Sequence, residues 1–188
     1  MKYLNVRWVL FFLAVCLFPC CGGGGGGNQL QPVWNFSPQS IKIHYRATPD
    51  LNLYQNTPHT LLLKIFELRD ISRFKSLLQS RGGLIKVLQF VGQNLYLGDA
   101  QKDVIYYEQK IVSPGDEKTI SLDRMKGVKW IAIVAGYYNL SPETSFRYFK
   151  VPIIYQKKGI IFKKKIAIPG RLFVNLILGP TSIQAVGG

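Results

Sequence analysis

SIKIHYR, residues 40 to 46, places Ile41, Ile43 and Tyr45 on one side of an extended chain and Lys42, His44 and Arg46 on the other. Side chains of a strand alternate between its two faces, so this segment reads as a half-buried β-strand with one apolar face. The same period of two recurs downstream. KTISL, 118 to 122, carries Ile120 and Leu122 inward, and SPGDE, 113 to 117, has the composition of a turn before it. VIYYEQKIV, 104 to 112, is expected to show Ile105, Tyr107 and Ile111 on one face. KWIAIVAGYY, 129 to 138, is the most apolar of these segments and predicts the centre of a sheet.

TLLLKIFELRD, 60 to 70, is too apolar for clean alternation, which suits a strand packed on both faces near its start. FRYFKVPIIYQ, KGIIFKKKIAI with Gly159 in the connection, RLFVNLIL and TSIQAV complete the strands. Pro152 lies within an apolar run, so that strand is expected at an edge or broken there. Between the strands, ISRFKSLLQSRGG spaces Ile71, Phe74, Leu77 and Leu78 as on a helix, with Gly82 to stop it. A second short helix is read over Leu84 to Phe90. ATPDLNLYQNTPH, 47 to 59, is a loop by its Pro, Asn and Asp content. Eight or nine short strands with one helical insertion predict an all-β fold, a two-sheet β-sandwich over residues 39 to 188.

The N-terminus is of another kind. Lys2 and Arg7 precede an apolar run of 11 residues, Trp8 to Phe18, and FPCCGGGGGGN follows at 18 to 28. A spanning helix needs about 20 apolar residues, whereas this length suits a secretory signal. The run ends in cysteine, the residue acylated in bacterial lipoproteins, so residues 1 to 20 read as a lipoprotein signal peptide. Cys21 is the favoured lipid attachment, with Cys20 the alternative; Val15 before Cys16 and Pro19 before Cys20 are poorer cleavage neighbours. The plainer reading is an ordinary signal whose thiols go unused. Residues 21 to 38 then form an acylated Cys and a Gly-rich flexible tether. The 18 residues from Gly22 to Gln39 would have an r.m.s. reach of about 23 Å. Gly22 stands where aspartate would favour inner-membrane retention, which points to the outer membrane, facing the periplasm.

Loss of Lys2 and Arg7 with the signal lowers the formal charge from +14 to +12. An exported basic domain meets anionic lipid, cell-wall polymer or an acidic protein, and no nucleic acid. KKGIIFKKK, 157 to 165, concentrates that charge in Lys157, Lys158, Lys163, Lys164 and Lys165. Such lysines dock on headgroups or an acidic partner, or they protect a sheet edge from aggregation. The neighbouring Tyr137, Tyr138, Phe146, Tyr148, Phe149 and Tyr155 are expected mostly in the core.

Catalytic chemistry has little to work with. The chain has two histidines, His44 and His59, neither with a second ligand at metal spacing. There is no G-x-S-x-G, no Cys-His pair in the mature domain and no Gly-rich loop between a strand and a helix. Glu67 and Asp70 could suggest paired carboxylates. The simpler reading has Asp70 capping the helix near Ile71 and Glu67 solvated, with Asp99 and Asp103 as turn residues. No catalytic residue, metal or cofactor is assigned, and an enzyme is not expected.

LKIFELRDISRF (63 to 74), YLGDAQKDVIYYEQKIVSPGD (96 to 116) and WIAIVAGYYNL (130 to 140) resemble, in order and spacing, the TssJ (SciN) lipoproteins of type VI secretion systems. The strongest pieces are SPGDE and IVAGYYNL, and the likeness covers about residues 39 to 186. The resemblance implies a transthyretin-like sandwich under the outer membrane, bound to the periplasmic C-terminal part of a TssM-like inner-membrane protein and indirectly to TssL. It also implies that the loop at 47 to 59 meets that partner, through Leu53, Tyr54, Gln55, Asn56, Thr57 and Pro58. The alternative is a periplasm-facing lipoprotein that binds an anionic ligand or cell-wall polymer through its basic strands.

Overall fold

The computed structural model describes residues 30–92, 96–158 and 164–186. Ten strands occur among them: β1 (Ser37–Ala47), β2 (Leu61–Leu68), β3 (Val104–Val112), β4 (Glu117–Arg124), β5 (Trp130–Ala135), β6 (Phe146–Lys150), β7 (Ile153–Lys158), β8 (Lys164–Pro169), β9 (Leu172–Leu178) and β10 (Ile183–Ala185). One sheet has the order β10-β9-β1-β4 and the other β3-β2-β5-β6, while β7 and β8 pair only with each other. β1 runs antiparallel to β4 and parallel to β9.

Alternation decides the packing. Ile41, Ile43 and Tyr45 of β1 meet Leu61, Leu63 and Ile65 of β2 and Ile131 and Ile133 of β5 in one buried cluster between the sheets. Fully burying a side chain of this size is worth about 1.5–3 kcal/mol, so this layer sets the register. β2 and β5 are apolar on both faces because their outer faces are covered as well. Phe66, Leu68, Ala132 and Val134 form a second cluster with Phe74 and Leu78 of helix α1 (Ser72–Leu78), Leu84 and Val87 of helix α2 (Arg81–Gln89), and Leu97 and Ala100 around a 3-10 turn at Gly98–Asp103. The buried Lys64 lies under this layer. Its amine donates to the carbonyl of Phe90 at the end of α2 and lies 5.7 Å from the Tyr107 ring, a cation at a helix C-terminus.

Several expectations are corrected. Gly82 does not stop a helix; it lies inside α2, which starts at Arg81 with the Ser80 hydroxyl accepting from the Gly83 N–H. Ile105, Tyr107 and Ile111 do not share the inner face. Glu67 pairs with Tyr106 but Leu68 with Val104, so the ladder shifts at Ile105. Ile105 packs between the sheets, Tyr107 packs under the helices and Ile111 is 65% exposed. Glu67 is not solvated: it shares the inward side of β2 with Leu63 and Ile65 and is fully buried. Its Oε2 accepts the Met125 N–H at 2.9 Å while Oε1 has no partner, and burial pushes its pKa up to about 7. Asp70 accepts from the Ser72 N–H at 2.7 Å, but the N-cap position falls on Ile71. Asp103 is more than a turn residue: its buried carboxylate accepts from Arg73 Nε at 2.8 Å and ties α1 to the 3-10 turn. The run across Pro152 is broken as expected, β6 ending at Lys150 and β7 starting at Ile153. The second short helix read over Leu84 to Phe90 is found as α2, which starts three residues earlier at Arg81.

Strand directions give the domain two ends. At one, Gly127 N–H donates to Trp34 O, Lys129 N–H to Leu68 O and Gly170 N–H to Pro152 O. The chain is thus held from Trp34 onward, ahead of β1. At the other, the loop at 47 to 60 meets the turns at 113 to 116 and 179 to 182: Thr48 N–H donates to Leu178 O and Gly115 N–H to Thr48 O.

Candidate functional site: an aromatic end on a clamped loop

The loop leaving β1 is anchored before it projects. Leu51 is fully buried in the core between the sheets, and His59 N–H donates back to Leu51 O at 3.0 Å. Asn52 supplies the clamp. It is 3% exposed; its Nδ2 donates to Thr60 O at 2.8 Å and its Oδ1 accepts from Tyr138 N–H at 2.9 Å. A single side chain therefore fixes the two stems of the loop and joins them to the chain beyond β5. Its φ of +48° is one that asparagine tolerates better than most residues.

The tip is a two-residue hairpin turn. Tyr54 and Thr57 exchange backbone hydrogen bonds of 3.0 and 2.9 Å. Gln55 and Asn56 between them have φ of +48° and +57°, the signs a type I′ turn needs at both central positions. This geometry stacks the Tyr54 ring on that of Tyr138, centroids 4.6 Å apart and planes 14° from parallel. His59 meets Tyr138 edge-on at 4.8 Å; its Nδ1 lies 2.8 Å from Thr57 O. Tyr54 is 47% and Tyr138 52% exposed. Stacked rings that keep half their surface in solvent form a rigid, amphipathic platform.

Of the residues expected at a partner contact, Tyr54, Gln55, Asn56, Thr57 and Pro58 are exposed on this tip. Leu53 is half-buried, its N–H donating to Pro180 O. Tyr138 and His59 were missed. Tyr138 was assigned to the core with its neighbour, but Tyr137 alone is buried. Alternation is the signal that could have separated them, because two adjacent residues on an extended chain cannot both face inward. Tyr155 likewise is 67% exposed, whereas Phe146 and Phe149 are half-buried.

The lysine cluster sits elsewhere. β7 and β8 place Lys157 opposite Lys165 and Lys158 opposite Lys164, on a hairpin that starts from the far end of the sandwich. Cys20, Cys21 and Lys163 lie outside the described residues. Among the described residues no three His, Cys, Asp or Glu side chains gather as metal ligands, and no helix is long and apolar enough to cross a membrane.

Comparison with characterised protein sequences finds no match. Among solved structures, the fold is similar to the type VI lipoprotein TssJ1 of Pseudomonas aeruginosa, with 20% identity, 79% of this chain and 95% of that one covered, and a TM-score of 0.54. It is similar to Serratia marcescens Lip, a membrane-bound component of the type VI secretion system, at 16% identity, 80% and 98% coverage and a TM-score of 0.54. A chain of the structure described as "T6SS protein TssM C-terminal domain (869-1107) from EAEC" matches at 12% identity, 79% and 98% coverage and the same TM-score. These likenesses are of fold. The family model T6SS-SciN, described as type VI secretion lipoprotein, VasD, EvfM, TssJ, matches residues 39–165. That span runs from β1 through the clamped loop and Tyr138 to β8, and the chain belongs to this family of type VI secretion lipoproteins.

Proposed function

We propose that the protein is an outer-membrane lipoprotein of a type VI membrane complex that anchors the periplasmic C-terminal region of a TssM-like inner-membrane protein, and through it TssL. The lipid is carried on Cys21, with Cys20 the alternative, and the domain faces the periplasm. Each methylene of an acyl chain buried in the bilayer contributes about 0.8 kcal/mol, and two chains give stable attachment. As a tether the Gly-rich segment would run from Gly22 to Val33 rather than to Gln39, because Trp34 and Asn35 are engaged by the domain. A Gly-rich coil of that length would have an r.m.s. reach of about 19 Å. No turnover is involved, and the work of the protein is to hold.

One observation carries this reading. The stacked Tyr54 and Tyr138, on a loop clamped by the buried Asn52, project from the end opposite Trp34, where the N-terminal segment leaves the domain. A partner reaching from the inner membrane would meet that end, and aromatic anchors in a rigid setting dominate protein interfaces. The test is capture of a TssM-like protein from the organism's own membranes by the mature chain, with Tyr54→Ala and Tyr138→Ala alongside. Loop-dependent recovery supports the anchor. Recovery unaffected by either substitution, or of cell-wall polymer alone, refutes it.

A further inference from the structure

We propose that the end of the domain from which the N-terminal segment leaves is a docking surface for anionic phospholipid headgroups. The proposal rests on the lipid-anchor reading above and adds an orientation to it. The buried Arg124 organises this end: its Nη2 donates to Asn35 O and its Nη1 to Gly170 O, each at 3.1 Å, and its guanidinium lies 5.9 Å from the Trp34 ring. One side chain thus fixes the exit of the tether beside the base of the β7–β8 hairpin.

Around that point the surface is basic. Lys126 and Lys129 from the β4–β5 turn, Lys150 at the end of β6 and Arg171 ahead of β9 are all exposed. Among the described residues none is salt-bridged to a carboxylate. The acids at this end are Asp70 and Asp123, which accept the backbone N–H groups of Ser72 and Gln39, and Glu67, which is buried and accepts from Met125 N–H. The hairpin adds exposed Lys157 and Lys165 as a direct cross-strand pair. Like charges set opposite one another are unfavourable on their own, and an anionic surface relieves that repulsion. At the other end Asp50, Asp116, Glu117 and Glu143 are matched by Arg46, Lys118 and Arg147, so the unbalanced positive charge gathers at the end from which the N-terminal segment leaves.

The tether selects the occupant. A segment with an r.m.s. reach of about 19 Å keeps this end, and no other, close to the bilayer that holds its lipid. Phe36 and Tyr155, 53% and 67% exposed, are found here too, and such side chains suit the headgroup boundary. Docking would leave Tyr54 and Tyr138 pointing away from the membrane.

The described fold starts at Trp34, so the chain from Gly22 onward keeps all of it and can be tested without acyl chains. Its binding is measured to vesicles of phosphatidylcholine alone and with phosphatidylglycerol added. A basic residue near an anionic surface strengthens binding about fivefold. Lys126→Glu, in an exposed turn, is therefore expected to weaken binding to the anionic vesicles at least about fivefold, and reversal of Lys126, Lys129, Lys150 and Arg171 together by at least about 100-fold. Raising the ionic strength should release the chain. Arg46→Glu, an equal change of net charge at the far end, should leave binding unchanged. The proposal is overturned by equal binding to neutral vesicles, by Arg46→Glu weakening binding as much as Lys126→Glu, or by capture on cell-wall polymer with no vesicle binding. None of these outcomes alters the Tyr54-dependent capture of a TssM-like partner, so the two readings fail separately.

Discussion

Replacing Asn52 by alanine removes both hydrogen bonds that hold the loop, the one donated to Thr60 O and the one accepted from Tyr138 N–H. Each is worth about 1 kcal/mol net, and the Tyr138 N–H is left without its acceptor. Alanine must also adopt the φ of +48° seen here, which costs about 1 kcal/mol more than it costs asparagine. The expected loss is about 3 kcal/mol in all. Asn52→Gly separates the contributions, because glycine takes positive φ without strain and should lose only about 2 kcal/mol. Urea denaturation with an unchanged m-value reads both. The same variants should lower affinity for the partner, since the clamp positions Tyr54 against Tyr138. An Asn52→Ala protein within about 1 kcal/mol of the parent, with partner binding intact, would refute the clamp.

Glu67 carries a pH signature. Its folded pKa of about 7 stands above the ordinary 4.5, so the native state holds the proton longer and this group's contribution to stability falls as pH rises from about 4.5 to 7. The loss is about 3 kcal/mol, and Glu67→Gln should abolish that part of the pH dependence, read as the difference between parent and variant stability curves. Phe74→Ala removes a ring 4.9 Å from that of Phe66 in the layer under the helices, and should cost about 3–5 kcal/mol by urea unfolding. Arg124→Ala should destabilise by about 2–3 kcal/mol and speed proteolysis at residues 33 to 36; cleavage there at the parental rate would show that Asn35 is not held by the guanidinium.

The parts of the fold that could be read from the sequence are those where one physical signal dominates. Period two at Ile41, Ile43 and Tyr45 placed β1, and the unbroken apolar run at 130 to 135 placed β5 inside its sheet. Errors arose where a local rule met a tertiary one. A bulge at Ile105 turned Ile111 outward, which no composition signals. Glu67 looked solvated because it is charged, although its parity on β2 assigns it to the inner face. Gly82 looked like a helix stop, but Ser80 caps the next helix just ahead of it. The loop at 47 to 59 was recognised from its turn residues, whereas its partner Tyr138 is 84 residues from Tyr54 in sequence and joins it through Asn52 and the stacked rings. Asn35 and the base of the lysine hairpin are likewise joined by Arg124, whose contacts reach 46 and 89 residues away.

The central claim is that the domain holds its membrane at one end and its partner at the other. The measurement that tests it most directly is the affinity of the mature chain for the periplasmic C-terminal region of a TssM-like protein, compared across Tyr54→Ala, Tyr138→Ala and Lys126→Glu. Each tyrosine substitution is expected to weaken binding by about 30-fold, the loss of about 2 kcal/mol typical of a hot spot, with Lys126→Glu unchanged. Full affinity in both tyrosine variants, or a loss confined to Lys126→Glu, would contradict it.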